Sequence, residues 1–210
     1  MKIIIMKKQT SIVITLVAFL ALSISFDTKA QKKVWSFGPE VGISISNYGK
    51  DASSNDSKVG AVAGGFITYS IVNTFAITAK LLYYQKGAAY APDTKETLHY
   101  LEVPVIGRFF LNKEGNFRPN IFVGPSFGFL QGASQKIGNN KSEKIDSYKN
   151  IYNNVDVGIT GGVGFNFLIA NETYFILDAR YTHGLSDISK SSINVTNNSL
   201  ALTAGVSFGF

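Results

Sequence analysis

His183, Ser186 and Asp187 are the residues whose types and spacing best suit nucleophilic chemistry: an imidazole to take a proton, a hydroxyl to attack and a carboxylate to orient the base. The local alternation works against that set. His183 shares the parity of the apolar Tyr181, whereas Ser186 and Asp187 already fall in a polar stretch, so a solitary rim histidine is the simpler reading. His99, the other histidine, has no second histidine beside it to share a metal. The chain has no cysteine, which excludes disulfides, thiolate metal ligands, a cysteine nucleophile and a lipidated N-terminal cysteine together. We expect no catalytic residue, no metal and no cofactor.

A second set of reactive side chains is charged. Glu40, Lys80, Glu102, Arg108, Asp156, Asp178 and Arg180 each stand on the small or polar side of a stretch whose other side is apolar. Asp178 and Arg180 are two apart and therefore share a face if the stretch is a strand. Charges gathered on one face and hidden from water need partners. They suit an internal ion-pair network, or, if its acid and base layers can separate, a gate.

The elements that must carry them are strands. From Leu200 to the end, Leu200, Leu202, Ala204, Val206, Phe208 and Phe210 alternate with small or polar residues, and a period of two means a strand. Phe208 and Phe210 leave the chain on an exposed apolar face, as a barrel strand with an outer-membrane insertion signal would, and a tilted bilayer span needs roughly 9–11 residues. The same alternation runs through 35–46, 75–85, 100–109, 121–129, 155–169 and 174–182, and more weakly through 59–69, where Gly64-Gly65 interrupts it and Phe66 changes face. The expected fold is all-β, an eight-stranded antiparallel up-and-down transmembrane barrel. Pro104 and Pro125 fall inside strands, where they remove ladder donors, so bulges are expected there.

The connections alternate long and short. Asn47–Lys58, Gly87–Glu96, Gln131–Asn154 and Leu185–Asn198 are polar, and the three between them are brief. Barrels of this kind have short periplasmic turns and longer extracellular loops, which puts both termini in the periplasm. Trp35, Tyr69, Phe75, Phe109, Phe167, Phe175 and Phe210 would form the inner aromatic girdle, and Tyr83, Phe129 and Tyr181 the outer one.

Lys2, Lys7 and Lys8 precede an uncharged run from Ser11 to Phe26, and Thr28-Lys29-Ala30 ends it with a small residue. Residues 1–30 read as a signal peptide and 31–210 as one barrel domain. Without the first 30 residues, 16 basic and 13 acidic side chains remain, a net charge of +3. This is too little, and too dispersed, for nucleic-acid binding. Charged residues are only 16% of the chain, as expected when many positions face lipid.

Tyr83-Tyr84-Gln85-Lys86-Gly87, Tyr100-Leu101-Glu102-Val103-Pro104, Gly124-Pro125-Ser126, the glycine-rich run from Asp156 to Phe167, Asp178-Ala179-Arg180-Tyr181 with Gly184-Leu185, and the terminal strand occur together in this order. In these stretches the chain resembles the PorT-like outer membrane protein β-barrel domain family of the Bacteroidota. The resemblance implies a fold and an outer-membrane location. The expected role is structural or interactive, through the four outer loops and a lumen plugged by charged side chains. Expected partners are outer-membrane lipid, the barrel-assembly machinery during insertion, and an extracellular or envelope protein at the loops. The alternatives are a narrow porin-like channel for small solutes and an accessory subunit of a type IX-like secretion system. A lipid-modifying enzyme is the least favoured.

Overall fold

A computed structural model describes residues 34–52, 56–90, 94–138 and 140–209. The expected signal peptide and Phe210 lie outside the described residues. Ten strands follow in order: β1 (Val34–Lys50), β2 (Asp56–Val72), β3 (Phe75–Lys86), β4 (Ala88–Tyr90), β5 (Thr94–Phe110), β6 (Phe117–Ile137), β7 (Glu143–Lys144), β8 (Val155–Ala170), β9 (Thr173–Gly184) and β10 (Val195–Gly209); one short helix, α1 (Tyr148–Ile151), precedes β8. All ladders are antiparallel. Leaving aside the short β4 and β7, the other eight strands form a ring in which each pairs with its sequence neighbour and β1 closes on β10. Closure leaves no sheet edge in the wall.

The outward face explains why the alternation is so regular. Val41, Ile43, Val59, Ile67, Leu81, Val105, Ile121, Val123, Ile159, Val163, Leu177 and Leu202 all point out and are exposed, and among the described residues no charged one interrupts this belt. In water such a face would be a large liability; against lipid tails it is the matching surface. Among the described residues no helix is long and apolar enough to cross a membrane.

At one end stand Val34 and Gly209, the first and last described residues, and three short turns, around Asn73, Gly115 and Glu172. Gly115 takes the positive φ (129°) that its turn requires. At the other end are the four long connections. These are shorter than the sequence suggests, because β1, β2, β5, β6 and β10 continue into them. Above the lipid belt the outward residues become polar, so alternation fades although the ladder persists. The Gly64-Gly65 pair does not break β2, whose pairing with β1 runs unshifted from Ser46↔Lys58 to Val34↔Ser70.

The prolines correct another expectation. No bulge lies at Pro104 or Pro125. The β5–β6 ladder pairs Pro104 with Ser126 and next Gly107 with Val123, skipping two residues on each strand without changing register. The β3–β5 ladder likewise passes from Ala79↔Val105 to Leu82↔Glu102, skipping Pro104. Pro39 repeats the device at the seam, where the pairs pass from Phe37↔Phe208 to Glu40↔Gly205. A proline withholds one donor, and the ladder gives up the adjacent pairs rather than inserting a residue. The true register shifts are elsewhere, at Ser70/Val72, His99/Tyr100 and Leu168/Ala170.

Candidate functional site

Period two sends every second side chain of each strand into the lumen. Glu40, Lys80, Glu102, Arg108, Asp156, Asp178 and Arg180 are all buried there, none more than 4% exposed. They form two groups, with Arg180 between them.

Toward the end with Val34 and Gly209, Arg108 of β5 makes a two-pronged contact with Asp178 of β9, Nη1 donating to Oδ1 at 3.0 Å and Nη2 to Oδ2 at 2.8 Å. Such fork-to-carboxylate pairs are among the strongest hydrogen-bonded contacts in proteins. Lys80 of β3 donates to Asp178 Oδ2 at 3.0 Å and to Glu40 Oε2 of β1 at 2.7 Å. Arg108 Nη1 also donates to Asn120 Oδ1 at 2.6 Å, and Asn120 donates to Asn166 of β8 at 3.2 Å. Six of the eight wall strands are thereby joined across the interior. Gly164 makes room for the cluster, since a Cβ there would lie 2.4 Å from Asp178 Oδ1 and 2.6 Å from Arg108 Nη1. The Phe122 ring supports the Arg108 guanidinium at 4.8 Å.

Toward the loop end, Lys86 of β3 lies 2.7 Å from Glu102 Oε2 and 3.3 Å from Asp156 Oδ2. Asp156 also accepts from Asn197 Nδ2 at 3.0 Å, and Asn197 reaches the Tyr100 hydroxyl at 3.2 Å. The rings of Tyr84 and Tyr100 both stand 5.3 Å from the Lys86 ammonium. The Arg180 guanidinium makes no hydrogen bond among the described residues. It faces the Tyr84 ring at 5.6 Å, and its acidic neighbours, strongest first, are Glu102, Glu40 and Asp178. The stack is neutral as a whole, with Glu40, Glu102, Asp156 and Asp178 against Lys80, Lys86, Arg108 and Arg180.

A lid of loop residues lies above it. Ile188, fully buried, packs with Tyr48, Leu98, Leu130 and Val195 in an apolar cluster at the mouth. Asn153 holds the lid in place, its amide donating to Asp187 O at 2.8 Å and Ser189 O at 3.1 Å, while its own N–H donates to Ile188 O at 2.8 Å. Asp187 Oδ1 accepts from the Ser189 and Val195 N–H groups at 2.9 and 3.0 Å, and these two bonds hold its carboxyl below the ordinary aspartate value. Glu96 accepts from the Tyr48 hydroxyl. Burial and then the Glu96 charge push the Tyr152 hydroxyl far up, and the same two causes push Tyr90 to about 12.

The nucleophilic set does not assemble. Ser186 Oγ accepts from Val157 N–H at 2.7 Å and reaches Asp156 at 3.4 Å, Asp187 is committed to the loop backbone, and no hydrogen bond among the described residues joins either to His183. His99 instead meets Tyr83 and Ser134. Among the described residues no three His, Asp or Glu side chains are placed to share a metal.

The aromatics cluster by ring pairs at the end with Val34 and Gly209: Trp35 with Tyr69 at 4.6 Å, Phe75 with Phe109 at 4.7 Å, and Phe117 with Phe167 at 5.1 Å. Phe175 lies at the same end; Tyr83, Phe129 and Tyr181 stand exposed toward the other.

Lys86, Asn120 and Asn197 belong to the stack although their sequence positions do not announce it. Lys86 continues the inward parity of Lys80, Leu82 and Tyr84 one step past Gln85, where the apolar outward pattern stops. The asparagines carry no charge to mark them.

The outer membrane protein beta-barrel domain family matches the chain over residues 29–190. Among solved structures, Neisserial surface protein A is similar over 85% of this chain and all of that one, at 15% identity and a TM-score of 0.57. The Escherichia coli outer membrane protein W is similar over 86% of this chain and all of that one, at 11% identity and a TM-score of 0.51. At such identities the likeness is one of fold. No curated protein sequence matches the chain.

Proposed function

The chain belongs to the outer membrane protein beta-barrel domain family, and from that premise we propose that it is a closed, lipid-embedded scaffold that works through its loops rather than a conduit or an enzyme. In this reading both termini are periplasmic, and the four connections at the other end present the interacting surface to the exterior. The order and spacing of the motifs around Glu102-Val103-Pro104 and Asp178-Ala179-Arg180 support placing it with the PorT-like barrels. The charge-neutral stack beneath the Ile188 lid carries the proposal. Eight buried charges that hold one another across the lumen, under an apolar cap, favour a filled interior over a water path.

Single-channel recording of the refolded barrel tests it. The parent stays silent, and Glu102→Gln with Arg180→Gln, which removes one charge of each sign and keeps the stack neutral, stays silent too. A second reading, a narrow gated pore, draws on Arg180, whose guanidinium no hydrogen bond holds. Steady parent conductance whose ion selectivity changes in Arg180→Gln would establish the pore and sink the scaffold.

A further inference from the structure

On the outside of the wall, just above the apolar belt, a cavity of about 400 Å³ opens between β3, β5, β6 and the connection that leads to β8. Its origin is the slip in the β5–β6 ladder. His99 pairs with Gly132 and Tyr100 with Leu130, so Gln131 is an extra residue, and it stands exposed on the outer surface. Tyr83 and His99 line the wall side, their hydroxyl and Nδ1 2.6 Å apart and their rings stacked at 6.0 Å. The other side is the returning chain. β7 pairs with the upper part of β6, Ile145 N–H donates to Ala133 O at 2.9 Å, and the Tyr148 hydroxyl donates to Gln131 O at 3.0 Å. The side chains of Lys144 and Asp146 also line the cavity, exposed and free of any hydrogen bond or ion pair among the described residues. Lys58 adds positive charge within electrostatic reach of His99.

The lining specifies an occupant. Aromatic faces from Tyr83 and Tyr148 suit the C–H face of a sugar ring, Gln131 and Asp146 suit hydroxyls, and an unpaired lysine suits a phosphate. Height specifies its source. Tyr83 is a loop-end girdle residue with Leu81 and Leu101 exposed on the apolar belt nearby, so a molecule in this cavity has hydrocarbon directly under it. We propose that the cavity holds the phosphorylated sugar headgroup of an outer-leaflet glycolipid, with its acyl chains lying along the belt below Tyr83. The inference rests on the loop end facing the exterior.

Native mass spectrometry of the barrel released from phosphatidylcholine nanodiscs, doped with either lipid A or phosphatidylglycerol, tests it. The expected result is one retained lipid A per barrel, with affinity about tenfold weaker in the Lys144→Ala, Tyr148→Ala double variant, kept in the charge-conserving Lys144→Arg single variant, and unchanged in Lys113→Ala at the opposite end. Equal retention of phosphatidylglycerol, or undiminished lipid A binding in the double variant, overturns it. Displacement by free glucosamine 1-phosphate at equal affinity overturns the lipid source. Orientation is read separately: Ser192→Cys in intact cells reacts with a membrane-impermeant maleimide if the loops are outside. Labelling without lipid retention therefore sinks the cavity alone, and absence of labelling sinks the orientation first.

Discussion

Toward the end with Val34 and Gly209, Glu40, Lys80, Arg108 and Asp178 each touch a charge of opposite sign. Asp178 is gripped by Arg108 and Lys80, Lys80 reaches on to Glu40, and the group is neutral by itself. Toward the loop end, Glu102 and Asp156 share the single Lys86, and neutrality comes from Arg180, which contributes its field without a hydrogen bond. The first group is cemented by geometry and the second is balanced at a distance. The difference teaches where rigidity and latitude reside in one lumen: contact energy depends steeply on removing a partner, whereas a field spread over several neighbours changes by degrees.

The largest break in that comparison should come from Asp178→Ala. It leaves Arg108 and Lys80 buried with one carboxylate between them, and loss of a buried partner is worth about 3–5 kcal/mol. Urea unfolding of the barrel in micelles should show the midpoint falling accordingly, and a loss under 1 kcal/mol would mean that the cluster is hydrated and not cemented. Next is Ile188→Ala in the lid above the second group. Truncating a buried isoleucine is worth about 2–5 kcal/mol in a closed core. At this mouth we expect the low end of that range, read as faster proteolysis of the 185–194 connection rather than as a large change in the unfolding midpoint.

The smallest effect is one of pH. The backbone N–H groups of Ser189 and Val195 depress the folded pKa of Asp187 below 3.8. The stabilisation is therefore complete above the unfolded value and is lost as pH falls through the folded one. Protection factors for amide exchange, taken against the intrinsic rate at each pH, should fall at Val195 and Ser189 below about pH 4, while those of amides beside Asp178 stay high. An equal fall at both places would erase the contrast between lid and cluster.

The wall was legible because lipid imposes one rule on every outward position. From Trp35 to Ile45 and from Val155 to Ile169 no polar residue breaks the outer face, and the inward parity of Glu40, Asp178 and Arg180 follows from it. Above the belt the rule lapses. In 94–98 and 132–137 both faces carry polar or small residues, so strands that continue there resemble loops in sequence. Lys86 was hidden by that same boundary. The lid was hidden for a different reason: Ile188 is buried because Tyr152 bridges to Ser189, a pairing between separate connections that no local pattern records. The prolines mislead because a withheld donor can be absorbed by an unpaired gap as well as by a bulge.

The seam between β1 and β10 sets an order of events. Every other ladder between the eight wall strands joins neighbours in the chain and can zip as soon as a hairpin turns, but this one joins the first strand to the last and must wait for the whole polypeptide. It is also the ladder that Pro39 thins, beside Gly38, where an added Cβ would lie 1.7 Å from Val206 O. Assembly is thus governed by one late step at one thinned junction. Until Ser36 finds Gly209, the molecule is an open ribbon with two sticky rims, and its vulnerability to aggregation is a property of that interval alone.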